Sequence, residues 1–351
     1  MQLEIVFSLT FLSDVYSADG PRFAHWAVSD FQARGHLVVG PRGEVHDKYM
    51  LSDWQPQTLV DLRGAAFMAN ENGPMKEAGI AAKWPDTAEL KRLPTAGNEE
   101  LYPVSIRGSA KDICLIGGKV IGVQPRALPW RVMKALYDGT AVRIEATGVL
   151  VVRDMEFENM QDGVRPRGTA SWVVRGVCAK YVRDDFVEND SLLPGEIIDC
   201  YAEGHTFLSA RPGKNSAADE KRMAEKARNP PHVKIRDCLA HVPLMPYDGD
   251  MKLSDQKYIV HGKAGGKLFK WSPNGGTVEV ENTLFRVDGM SATGPTSMAF
   301  PKGTYKDVTL VWLGKGDYPA AVPPGVKVTR DVSVWDKAKA DWFKRHEQPS
   351  R

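Results

Sequence analysis

The feature that most constrains this chain is a recurrence of short Val- and Ile-rich runs separated by turn residues. They include Ile113-Cys114-Leu115-Ile116, Val149-Leu150-Val151-Val152, Trp172-Val173-Val174, Ile197-Ile198, Val233-Lys234-Ile235, Val278-Glu279-Val280 and Val308-Thr309-Leu310-Val311. From Val149 to Val173, and from Val173 to Ile197, the interval is 24 residues. A repeat of that size, built of short strands and turns, is the signature of a solenoid whose units stack to bury a shared core. The 32 glycines and 23 prolines supply the turns. The expected fold class is therefore all-β: a single right-handed parallel β-helix solenoid with capping segments and a short C-terminal helix.

The longer intervals, from Ile113 to Val149, Ile197 to Val233 and Val233 to Val278, would hold insertions projecting as loops. The clearest is 213–231, where residues 217–227 form a polar helical excursion closed by Pro230-Pro231. Residues 1–100 are expected to form N-terminal strands, loops and a cap, 101–331 the coils, and 332–351 a C-terminal helix and tail. Around Trp335 and Trp342 the spacing is helical and the last turn cationic; the helix is read as a cap on the stack, since terminal coils expose apolar surface and open backbone edges. Ile5, Phe7, Leu9 and Phe11 alternate as in a strand, and Glu4 with no preceding cation argues against a signal peptide. The four cysteines lack Cys-x-x-Cys spacing and are expected as buried thiols, with Cys178 and Cys200 on an inward ladder.

Charge excludes some partners. A net charge of +2 gives no global field for nucleic acid, and no apolar run is long enough to span a membrane. The densest polar segment runs from 158 to 211. Residues one coil apart stack roughly 4.8 Å apart, so Asp162 and Asp184, 22 residues apart, and Asp185 and His205, 20 apart, are expected to converge. Adjacent carboxylates cannot both ionise freely, so one is pushed toward its protonated form. That provides an acid and a base, as glycosidic cleavage requires. Arg165, Arg167, Arg183 and Arg211 suit bidentate contacts to an anionic sugar, and Lys180 and Glu188 complete the expected substrate-binding set.

These motifs resemble the pectin-lyase-like right-handed β-helix superfamily, and their order is similar to that of polygalacturonase-type glycoside hydrolases. That group carries Asn-Thr-Asp, then Asp-Asp, Gly-His-Gly and Arg-Ile-Lys. Here stand Met160-Gln161-Asp162, Asp184-Asp185, Gly204-His205-Thr206 and Lys234-Ile235-Arg236, the last with its charges reversed. The resemblance implies Asp162, Asp184 and Asp185 as acid and base carboxylates with His205 supporting them. The chain also resembles uncharacterised bacterial β-helix repeat proteins.

Hydrolysis of an acidic or polar polysaccharide is the leading expectation, with no cofactor. Polysaccharide lyases share the fold class. In that alternative Arg183, Lys180 or Arg211 removes the proton beside a uronate carboxylate, and Asp184, Asp185, Glu188 and Asp190 hold Ca²⁺ through hard oxygen ligands. A non-catalytic glycan-binding or structural β-helix is the second alternative. Trp54, Trp84, Trp130, Trp172 and Trp271 are candidate sugar platforms, while Gly117-Gly118 and Gly265-Gly266 are expected as tight turns. The function class favours a periplasmic or secreted location; oligomeric state is left open.

Overall fold

The computed structural model describes residues 26–69, 102–247 apart from 125, 131, 132, 135, 136, 138, 169, 170 and 212–229, and 262–347. The expected N-terminal strand, the 217–227 excursion and Trp84 lie outside the described residues. Three parallel sheets run along the stack, and each turns columns of apolar side chains inward. The first joins Val60, Leu115, Val152, Val174, Ile197, Ile235 and Val280. The second joins Phe67, Val120, Phe157, Ala179, Ala202, Ala240, Phe285 and Leu310. The third joins Val104, Val142, Val164, Val187, Leu208 and Phe269. All of these residues belong to one continuous apolar core, so the chain folds as a parallel β-helix.

The phase of the coils differs in detail from the expected one. Val151 pairs with Val173, and Val173 with Glu196, giving coils of 22 and 23 residues rather than 24. The winding also starts earlier than residue 101. Leu37–Val39, Gly43–Val45 and Tyr49–Leu51 pair in parallel with the next coil in all three sheets.

One corner repeats. Between the first and second sheets the chain turns through Gly117, Asp154, Gly176, Asp199, Asp237, Asn282 and Asp307, each with φ between 44° and 69°. Only Gly, Asn and Asp visit this left-handed region readily. The freed amide N–H points along the stack: Asp154 donates to Arg175 O, Gly176 to Ile198 O, Asp199 to Arg236 O and Asn282 to Lys306 O, at 2.9–3.0 Å. Cys200 and Cys238 follow two of these corners and face inward. Cys178 instead pairs with Tyr201 on the outer face of the second sheet, because the inward position of that coil belongs to Ala179. All four thiols are free.

Helices cover two of the three outer faces. Helix α1 (Val28–Arg34), together with Trp26 just before it, packs Trp26 and Phe31 on Leu59, Cys114, Ile116, Val151, Val173 and Ile198 of the first sheet. Helix α2 (Val332–His346) is N-capped by Asp331, whose carboxylate accepts Ser333 N–H at 3.0 Å. It lays Trp335 and Trp342 on Tyr201, Leu239, Leu284 and Val311 of the second sheet. The helix expected as an end cap is thus a flank cover. No described helix is long and apolar enough to cross a membrane.

The outer face of the third sheet is polar, and the long connections join its strands to those of the other two sheets. Residues 123–139 and 243–266 enter it and 211–231 leave it, whereas the left-handed corner is two residues in most coils. Asp307 is exposed, with φ 53°. Asp307→Val should lower urea-unfolding stability by about 1–2 kcal/mol, while Asp307→Gly should stay near wild type.

Candidate active site

Two outward columns build the site. One runs Thr140, Asp162, Asp185, Thr206, Lys267; the other runs Arg143, Arg165, Glu188, Ser209, Lys270. Asp185 N–H donates to Asp162 Oδ1 at 3.0 Å. Asp162 therefore stacks on Asp185 rather than on Asp184, and Asp185 pairs with Thr206 rather than His205. Register shifts between Ala179 and Asp185 move the expected pairs by one position. The shift still brings the acids together. Oxygens of Asp162, Asp184 and Asp185 lie within 4.8 Å of one another, and all three residues are buried.

Burial and the crowding of Glu188, Asp184 and Asp185 push Asp162 far up. Asp185 is pushed up to about 6 by burial and by Asp184, against the pull of Lys270. Asp184 is buried too, but Lys270 and Lys134 outweigh that penalty and hold it below the usual carboxylate range. The Lys270 ammonium sits 2.8 Å from Asp185 Oδ2 and 3.4 Å from Asp184 Oδ1, and Lys134 sits 3.2 Å from Asp184 Oδ2. Neighbouring carboxylates are thereby driven apart into one that is ionised and one that keeps its proton in mild acid.

His205 is buried and its pKa falls to about 3, since burial outweighs the attraction of Asp184 and nearby cations add to it. It is a neutral imidazole at neutral pH, with its ring centroid 6.0 Å from Trp130 and 6.1 Å from Tyr247. The backbone of His205 is overlaid by Gly266, where a Cβ would come within 1.7 Å of the His205 carbonyl oxygen. Gly266 is thus a close approach between coils, not the tight turn expected.

Several expected residues take other places. Arg183 is buried, and its guanidinium donates to the carbonyls of Arg126 (3.0 Å), Leu128 (2.7 Å) and Pro246 (3.0 Å). It ties the two flanking segments together rather than facing a ligand. Lys180 lies on the second sheet with its ammonium 5.1 Å from the Phe343 ring, away from the acids. Arg211 is exposed and acts on Lys267 as a like charge. Arg165 Nε lies 2.7 Å from Glu188 Oε2, and Glu188 is pushed up by burial despite Arg165. Arg167 is half-buried on the same strand, lowered by burial and by Arg165 and Arg143.

The expected calcium ligands are divided among other partners. Lys270 already holds Asp184 and Asp185, Arg165 holds Glu188, and the Ser209 hydroxyl donates to Asp190 at 3.1 Å. Of the tryptophans, Trp54 and Trp172 belong to the core and Trp271 packs on Phe269; Trp130 stands at the site.

Lys134, Lys267 and Lys270 were not legible as site residues. Lys267 is buried, its pKa lowered to about 8 by burial, Arg211 and Lys270, and its amine donates to Thr293 Oγ1 at 3.1 Å. The signal that finds it is the column itself, Thr206 to Lys267 and Ser209 to Lys270, once the 211–231 connection is taken out of the count. No family model, curated protein or solved structure matches the chain.

Removing Lys270 leaves two buried carboxylates without their shared cation. Lys270→Met should cost about 3–5 kcal/mol at neutral pH. Without the ammonium the acids hold protons to higher pH, and a group with a raised folded pKa gives its stability below that value. The gap to wild type in urea melts should therefore narrow as pH falls from alkaline values toward Asp185's wild-type value of about 6.

Proposed function

We propose that the chain is a carbohydrate-active enzyme that hydrolyses glycosidic bonds in an acidic polysaccharide. The carrying observation is three buried carboxylates within 4.8 Å, with Asp184 held ionised and Asp185 raised to about 6. Asp185 donates its proton to the departing glycosidic oxygen. Asp184, kept charged by Lys270 and Lys134, takes the proton of the attacking water. Asp162 orients Asp185 through its amide, and neutral His205 packs beside the pair. Arg143, Arg165 and Arg167 line neighbouring coils of the same face, the first two paired with Glu145 and Glu188, and are suited to substrate carboxylates or sulfates.

On a panel of acidic polysaccharides, Asp184→Asn and Asp185→Asn should each lower reducing-end release by at least roughly 100-fold while keeping the β-rich circular dichroism spectrum and a cooperative unfolding transition. Full activity in both variants would falsify the assignment. The pH–rate profile should fall on the alkaline side near Asp185's value of about 6, as the acid loses its proton. The acid limb should lie below the ordinary value of 3.8, where Asp184 becomes protonated.

Elimination is the second reading, favoured by Lys267. An amine lowered to about 8 and bonded only to a hydroxyl among the described residues is suited to proton abstraction. It replaces Arg183 and Lys180, whose side chains point elsewhere. Product absorbance in the near ultraviolet, lost in Lys267→Met, would select this reading; new reducing ends without absorbance select hydrolysis. Binding without turnover across the panel would leave a glycan-binding solenoid.

A further inference from the structure

A second group of titratable side chains lies beneath α2, outside the acid cluster. The His241 side chain is 10% exposed, with Nδ1 3.4 Å from Glu203 Oε2 and Nε2 2.9 Å from Asp288 Oδ2. A neutral imidazole has one N–H and one lone pair. It can donate to only one of these carboxylates and must turn its lone pair on the other. Both contacts are favourable only in the imidazolium. The Trp335 ring of α2 packs on this imidazole, centroids 5.5 Å apart.

The last turn of α2 repeats the arrangement. His346 Nε2 lies 3.2 Å from Asp199 Oδ2, and Nδ1 lies 2.8 Å from the Trp342 carbonyl. Again both nitrogens face acceptors. The position at a helix C-terminus favours a cation as well. Here Trp342 stacks on the His346 ring at 3.8 Å, and Trp342 Nε1 donates to Asp199 O at 3.3 Å.

We infer that α2 is a protonation-controlled strap, docked on the second sheet while His241 and His346 are imidazolium cations and loosened when they lose their protons. The surrounding charges fit this. Around His241 stand Glu203, Asp288 and Tyr201, with Arg286 paired to Asp288, Asp336 of α2 4.0 Å from Arg286, and Lys339 of α2 over the Tyr201 ring. Around His346 stand Asp199 and Arg345, itself 3.4 Å from Asp199. For His241, burial opposes the charge, yet the bonds to Asp288 and Glu203 raise its pKa. For His346, burial is outweighed by Asp199 and the Trp342 carbonyl.

The sign follows from linkage. A histidine raised above 6.5 in the folded state contributes fully below 6.5, and the contribution is lost as pH rises through the raised value. Glu203 and Asp288 are lowered, so their share is lost only in acid, as pH falls through their values. The strap holds best between these limits. It also joins coils that are otherwise linked only through neighbours, from Asp199 to Val311.

The test is hydrogen exchange of residues 332–346 in the full chain, expressed as protection factors between about pH 6 and about pH 9, with NMR titration of both histidines. Protection of α2 should fall roughly tenfold for each unit by which a histidine is raised, ahead of protection in the core strands. His346→Gln, a change at a half-buried position outside the apolar core, should remove part of that response, and His241→Gln/His346→Gln the rest, with α2 at low pH already as loose as wild type at high pH. Flat protection across the range, an undiminished pH response in the double variant, or titration of both histidines at or below their ordinary value would each overturn the inference.

Discussion

The left-handed corner between the first and second sheets sets the phase of everything else. At Asp154, Gly176, Asp199 and Asn282 the amide N–H leaves its own coil and bonds to the coil above. A short corner of one hand, two residues long in most coils, allows little drift from coil to coil. The inward columns therefore stay in line, and Val, Ile, Phe and Ala can fill the interior layer by layer. The outward columns stay in line as well. Residues more than a hundred positions apart, Thr140 and Lys267, end in one row because each coil repeats the same phase.

Alignment of this kind concentrates charge, and concentrated charge must be balanced. Asp162, Asp184 and Asp185 would repel one another strongly in a buried site. Lys270 and Lys134 offset part of that repulsion, and a retained proton offsets the rest. Two of the flanking segments are held by Arg183, a buried cation satisfied by three backbone carbonyls. The arginine nearest the acids in sequence thus serves the walls, and lysines distant in sequence serve the acids.

How much was legible depended on how short the coils are. The stretch from 149 to 211 has few long connections, and there the strands, the convergence of Asp162, Asp184 and Asp185, and the outward Arg165 and Arg167 could be read. The interval was misjudged by one or two residues because Val149 and Val151 look alike, and only the second is the partner of Val173. Bulges between Ala179 and Asp185 had no signature, which is why Lys180 looked like a neighbour of the acids. Lys267, Lys270 and Lys134 were hidden for a different reason: the connections at 211–231, 243–266 and 123–139 interrupt the period, and the count of residues no longer reports position. The corner was visible in principle, as Gly, Asp or Asn one or two residues past most first-sheet runs.

The same corner has a consequence for how such a chain can change. It stays within one to three residues in every described coil, and the long additions to the chain fall at the other two corners. Both of those border the third sheet. Any lengthening of the chain between strands therefore reshapes the rim around the acids and leaves the stacking untouched. A scaffold of this design can change the surroundings of its acid cluster by insertion alone, with the carboxylates and the core kept in place.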